Sequence, residues 1–114
     1  MNTSQSRYNK YQIMWILAAF DLPTETKKDR HEATKFRKVL LDAGFHLFQF
    51  SIYVRHCPSR ENMWVHIERL KKHMPPSGKV SFMHFTDAQF GKIITFYGTK
   101  PEKNQETPRQ LSFF

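Results

Sequence analysis

Cysteine is almost missing from this chain of 114 residues: the single one, Cys57, excludes an internal disulfide framework and fits a reducing compartment. Zinc chemistry is excluded with it, because the 6 histidines never fall at HxxxH spacing on one helical face. Ser51 has no histidine at a triad-like position, so a serine hydrolase is not supported. Long apolar runs are missing as well. The longest, residues 13–20, ends after 8 residues at Asp21 and Pro23, well short of the roughly 20 that a transmembrane helix needs. No segment pairs a long apolar face with a basic one at helical period, so no membrane partner is expected. No small-residue cleavage site follows the basic start, so no secretory signal is expected and a cytoplasmic location is. Acidic residues are scarce: 10 stand against 18 lysines and arginines, giving a formal charge of +8 that is the footprint of a polyanionic partner, nucleic acid first.

What is abundant is phenylalanine, 11 residues, concentrated in segments that also read as strands. A chain of this length makes one domain, and the aromatic surplus exceeds what one small core needs, so a homodimer is a natural sink for it. Residues 1–12 are polar and aperiodic and read as a flexible tail. The domain is expected over residues 13–98. Residues 99–114 are polar but end in Leu111, Ser112, Phe113 and Phe114, which reads either as a partner-docking hook or as a free terminus.

The uninterrupted apolar run at 13–20 predicts a buried strand. Thr26 and Asp29 form a capping-box pair, and Ala33, Phe36, Leu40 and Ala43 recur at helical spacing until Gly44 supplies a left-handed stop. From Phe45 to Val54 the period changes to two, with Phe48, Phe50, Ile52 and Val54 on one face; one long bent strand or two short ones joined near residues 46–49 are expected. Ser59 caps a second helix with Met63, Ile67 and Leu70 as its apolar stripe, stopped by Pro75 and Pro76. Residues 79–86 alternate as a strand, with Val80, Phe82 and His84 against Ser81, Met83 and Phe85. A capped helical turn at 86–91, with Asp87 as its cap, and a last strand at 93–97 follow. The order strand, helix, strand, strand, helix, strand defines an α+β, ferredoxin-like βαββαβ sandwich with an extra C-terminal strand.

Asp21, at the end of the first apolar strand, is the best-placed residue for chemistry. Two readings stand: a carboxylate fixed at a sheet edge for metal work, or a turn residue that satisfies loop amides before Leu22 and Pro23. Mg2+ favours carboxylate oxygens, and Asp42, Glu61 and Asp87 read as solvated or capping residues, so one chain offers only half of a two-carboxylate site. A two-fold axis would supply the other half. The helix over 27–38 carries Lys27, Lys28, Arg30, Lys35, Arg37 and Lys38 against Asp29 and Glu32. Such one-sided charge repels itself unless phosphates relieve it, the alternative being a solubilising face. The strand aromatics Phe48 and Phe50 invite comparison with an RNA-recognition motif, but the glycine-and-basic consensus of that motif is missing, which favours core or dimer interface.

These pieces resemble the CRISPR-associated protein 2 family, the small subunit of the spacer-acquisition machinery. The matching stretches are Ala19-Phe20-Asp21-Leu22-Pro23-Thr24, Phe36-Arg37-Lys38-Val39-Leu40 with Gly44-Phe45, and Phe48-Gln49-Phe50-Ser51-Ile52-Tyr53. Thr86-Asp87-Ala88-Gln89-Phe90 with Ile93-Ile94 looks like the ending of members from systems with a single large RNA-guided effector. The resemblance implies a homodimeric adaptor that sits between dimers of the integrase CRISPR-associated protein 1 and helps hold double-stranded DNA for insertion into the array. It also implies an alternative, a Mg2+-dependent endonuclease of RNA or duplex DNA, in which Asp21 and its symmetry mate hold the metal. Under the adaptor reading, Lys27, Lys28, Arg30, Lys35, Arg37, Lys38 and Arg55 contact phosphates, while Leu111, Phe113 and Phe114 engage a partner chain.

Overall fold

A computed structural model describes residues 13–101; residues 1–12 and 102–114, including Leu111, Phe113 and Phe114, lie outside the described residues. The elements are β1 (Met14–Asp21), α1 (Lys27–Asp42), β2 (His46–Gln49), β3 (Ile52–Cys57), α2 (Arg60–Leu70) with a 3-10 turn at Lys71–His73, β4 (Lys79–Thr86), α3 (Asp87–Phe90), β5 (Phe96–Tyr97) and β6 (Lys100–Pro101). β2, β3, β1 and β4 form a four-stranded sheet in that order, antiparallel throughout. β3 and β4 flank β1, so α2, which connects them, must cross the sheet. This is the ferredoxin-like arrangement.

The apolar run becomes a central strand because both of its faces are covered. Met14, Ile16, Ala18 and Phe20 point to the helices and meet Phe36 and Leu40 of α1, Tyr53 and Cys57 of β3, and Met63, Ile67 and Leu70 of α2. Phe20 and Phe36 meet edge to face, with centroids 5.4 Å apart and planes at 86°. Such pairs add to simple area burial. Truncating a ring as buried as Phe36, which is 2% exposed, removes about 3–5 kcal/mol. Trp15, Leu17, Ala19 and Asp21 take the opposite face by strand alternation. There Leu17 faces Val54 of β3 and Met83 of β4 in the ladder.

The helix ends follow local chemistry. Thr26 Oγ1 accepts from Asp29 N at 2.9 Å, and Asp29 Oδ2 accepts from Thr26 N at 3.2 Å, which closes the expected capping box. Ser59 caps α2 by accepting from Asn62 N at 3.0 Å. Gly44 takes φ +89° after the Ala43 cap, as a left-handed helix stop requires.

Three local expectations need correction. The joint between β2 and β3 is not at residues 46–49: the strands continue to Gln49, pair Gln49 with Ile52, and turn through Phe50 and Ser51. Ser51 adopts φ 64° there, a conformation normally left to glycine or asparagine, and the turn was hidden by an apolar alternation that runs straight through it. The last strand is shorter than 93–97: only Phe96 and Tyr97 pair, and with Lys100 and Pro101 rather than with the four-stranded sheet. The extra strand is therefore half of a separate hairpin, with Phe96 and Tyr97 exposed. The cap of α3 is Thr86, whose hydroxyl accepts from Gln89 N at 3.1 Å, while Asp87 sits in the first turn. Asp87 Oδ1 instead accepts from Trp15 Nε1 at 2.8 Å. Phe90 stacks on the same indole, 4.1 Å centroid to centroid, so α3 lies on the face of the sheet away from α1 and α2.

Candidate functional site

Asp21 is the last residue of β1 and is exposed, on the sheet face opposite α1 and α2. Three pieces of backbone fix it. The preceding amide, Phe20 N, donates to Ser51 O at 3.1 Å, tying the strand end to the β2–β3 turn. Lys79 is its direct cross-strand partner on β4. Gly78 packs against it so closely that a Cβ at 78 would lie 2.8 Å from Asp21 O and 2.7 Å from Leu22 Cδ2. The carboxylate itself makes no hydrogen bond or ion pair with the described residues, and the cap of α1 is Thr26. The turn-residue reading has no side-chain hydrogen bond behind it among the described residues: the backbone at Asp21 is held and its carboxylate is open.

The described residues bring no second acid to it. No group of three or more His, Cys, Asp or Glu among them is arranged to hold a metal ion. Asp42 pairs with Lys38 at 3.5 Å, and Asp87 is bound to Trp15. The donor set suits a hard cation that keeps most of its waters, since Mg2+ is commonly held by one or two carboxylates plus phosphate oxygens. It fits as half a site, and Lys79 places a positive charge at its edge.

The cations of α1 do not share that face. Phe36 and Leu40 turn the helix's apolar stripe to the sheet, which carries Lys27, Lys28, Lys35 and Lys38 outward, with Arg30 and Arg37 along one flank. They differ in how far they are committed. Arg30 Nη1 donates to Thr24 O at 3.0 Å and Glu25 O at 3.1 Å, and Arg37 Nη2 to Thr34 Oγ1 at 3.2 Å. Lys38 is shared with Asp42. Lys27, Lys28 and Lys35 remain exposed and unpaired among the described residues.

Arg55 is the residue the sequence placed least well. It is half-buried on β3, and its Nη1 donates to Ala43 O, at the end of α1, over 2.8 Å. Its guanidinium occupies the space where Gly44 has no side chain. One donor of Arg55 is thus committed to a helix end, apart from the open lysines of α1. Its charge also partly offsets the burial that pushes the Cys57 thiol up from its ordinary value. Sequence reasoning missed Lys79 and Gly78 beside Asp21; the glycine after Pro75 and Pro76 was the one available signal.

A four-stranded antiparallel sheet with both helices on one face, whose first strand ends in an open carboxylate, places the chain among the small ferredoxin-like α+β proteins. A family model described as CRISPR associated protein Cas2 matches residues 14–93. A protein of Flavobacterium psychrophilum named CRISPR-associated endoribonuclease Cas2 is 51% identical over 109 residues, 96% of this chain and 95% of its own length. Proteins of the same name from Parvibaculum lavamentivorans and Paracidovorax avenae are 46% and 39% identical, covering 89% and 91% of this chain and 100% and 96% of their own. The chain belongs to the CRISPR-associated Cas2 family. No helix among the described residues is long and apolar enough to cross a membrane.

Proposed function

We propose that the chain acts in CRISPR adaptation as a homodimeric adaptor that binds the backbone of duplex DNA and bridges integrase dimers of CRISPR-associated protein 1. The observation that carries the binding claim is the outward row of uncommitted lysines on α1, Lys27, Lys28 and Lys35, reinforced by the fixed charges of Arg30, Arg37 and Lys38. Lysines spread over a helix whose other side is packed into the core reach phosphates, not base edges, so recognition is blind to sequence. The two-fold contact is assigned to the sheet face away from α1 and α2, where Met83 is exposed on β4, together with the exposed Phe96 and Tyr97.

A second reading has its own support. The relatives are named endoribonucleases, and Asp21 presents an open carboxylate at a fixed strand end. In that reading Asp21 and its symmetry mate hold Mg2+, which supplies charge neutralisation at the scissile phosphate. Asp21→Ala separates the two. Loss of Mg2+-dependent cleavage with spacer acquisition intact supports an adaptor whose carboxylate serves a separate activity. Loss of acquisition in a folded variant that still binds the integrase overturns the adaptor reading.

A further inference from the structure

The C-terminal ends of α1 and α2 border an open cleft of about 520 Å³ that neither Asp21 nor the outer lysines touch; Arg55 of β3, His66 and Arg69 of α2, and His73 form its polar wall. Val39, Ala43 and Leu70 line its floor, and Asp42 is the one acid on its rim. Asp42 is shared with Lys38 at 3.5 Å, both side chains being exposed. One carbonyl at the end of α1, Ala43 O, is covered by Arg55 Nη1 at 2.8 Å. What remains is an open groove lined by two guanidiniums and two imidazoles against a single carboxylate.

Arg55 is held in place on two sides. Gly44 leaves room for its guanidinium and Ala43 O takes one of its donors, while its Nε is buried with no partner among the described residues. A guanidinium fixed in this way loses little freedom on binding a tetrahedral anion, and Arg69 on the same cleft is exposed and free to close. Burial first, then the Arg55 and Arg69 charges, hold the imidazole of the neighbouring His66 below its ordinary value.

We infer that this cleft binds a phosphate group, held by Arg55 and Arg69 and flanked by His66 and His73. An anion seated there opposes the Arg55 and Arg69 charges on His66, so binding raises its pKa and, for an anion such as sulfate that does not itself titrate in this range, weakens as pH climbs through the imidazole titration. The groups that face His66 are Arg55 from β3, Asp42 from α1, and Arg69 and His73 from its own segment; Arg55 and Arg69 change in effect when the anion arrives.

The test uses the intact protein and inorganic phosphate, with affinity read from the His66 ring signals by NMR at fixed pH and against sodium chloride of equal ionic strength. Saturable binding is expected, weakened at least about tenfold in Arg69→Gln, a substitution on an exposed side chain that leaves the urea midpoint unchanged. Sulfate, which does not titrate in this range, is expected to raise the His66 pKa in the wild type and not in the variant. A His66 response no larger than that to chloride, or one unaltered by Arg69→Gln, overturns the site. Competing duplexes with and without 5′ phosphates then identify the source. Preference for the phosphorylated end assigns a terminal monoester, equal competition assigns the backbone diester, and competition by neither restricts the cleft to free phosphate.

Discussion

Asp21 and Lys79 stand directly opposite each other where β1 meets β4, so the one open carboxylate of the sheet end has a fixed cation for a neighbour. Neither is tied to the other by an ion pair shorter than 4.0 Å, and both are exposed. Their relation is therefore competitive: a divalent ion approaching Asp21 meets repulsion from Lys79. Removing that charge in Lys79→Ala is expected to tighten Mn2+ binding, used as a paramagnetic stand-in for Mg2+, by roughly threefold. Asp21→Asn is expected to abolish it. Equal Mn2+ affinity in Lys79→Ala and wild type would show that the lysine points away from the ion.

Gly78 determines where that carboxylate sits. Its φ is +94°, and a Cβ would lie within 2.8 Å of Asp21 O, so alanine there brings both a backbone penalty and a collision. Gly78→Ala is expected to lower stability by about 1–3 kcal/mol, seen as a lower urea midpoint at unchanged slope. An undiminished midpoint would mean that the loop after Pro76 relaxes without cost.

On the other side of the domain, Gly44 and Arg55 form a second interlocked pair. A Cβ at 44 would overlap the Arg55 guanidinium, and the φ of +89° disfavours any side chain. Gly44→Ala and Arg55→Ala are each expected to destabilise by about 1–3 kcal/mol, the second by leaving Ala43 O unpaired. The double variant should cost less than the sum, because the clash disappears with the guanidinium. Strict additivity in a double-mutant cycle would mean the two residues act separately.

The DNA surface proposed on α1 makes a prediction about salt. Replacing Lys27, Lys28 and Lys35 by glutamine is expected to weaken duplex binding for all sequences alike. It should also flatten the log–log salt dependence by up to about 0.9 for each lysine that touches a phosphate. An unaltered slope would move the DNA elsewhere on the molecule.

Features encoded within a few residues were legible before the fold was seen. The Thr26 and Asp29 box, the Ser59 cap and the Gly44 stop each need only a neighbour three or four positions away, and each is present. Asp21 was legible for a related reason, since the end of an apolar run is a local event. The β2–β3 turn was not, because an apolar alternation runs through it and its left-handed position is filled by Ser51, at φ 64°, and not by glycine or asparagine. Nor was the pairing of Asp21 with Lys79, which depends on strand register between distant segments. Nor was the contact of Arg55 with Ala43 O, because sequence carries no mark of which carbonyl a long side chain will reach.

His66 links that buried corner to pH. Its folded pKa lies below the ordinary 6.5, through burial and the Arg55 and Arg69 charges. The unfolded chain therefore takes up a proton that the folded chain resists. The native state is favoured by a neutral His66 above pH 6.5, and this advantage is lost as pH falls toward the folded pKa, below which no further change comes from this residue. His66→Gln removes the group that titrates while keeping a polar side chain at the cleft. The wild type is thus expected to lose more urea stability than the variant between pH 8 and pH 5, a window of order one unit or more on each side of the imidazole value. If the two proteins lose stability in parallel, the acid sensitivity lies in other groups, and the field of Arg55 and Arg69 on His66 is too weak to matter for folding.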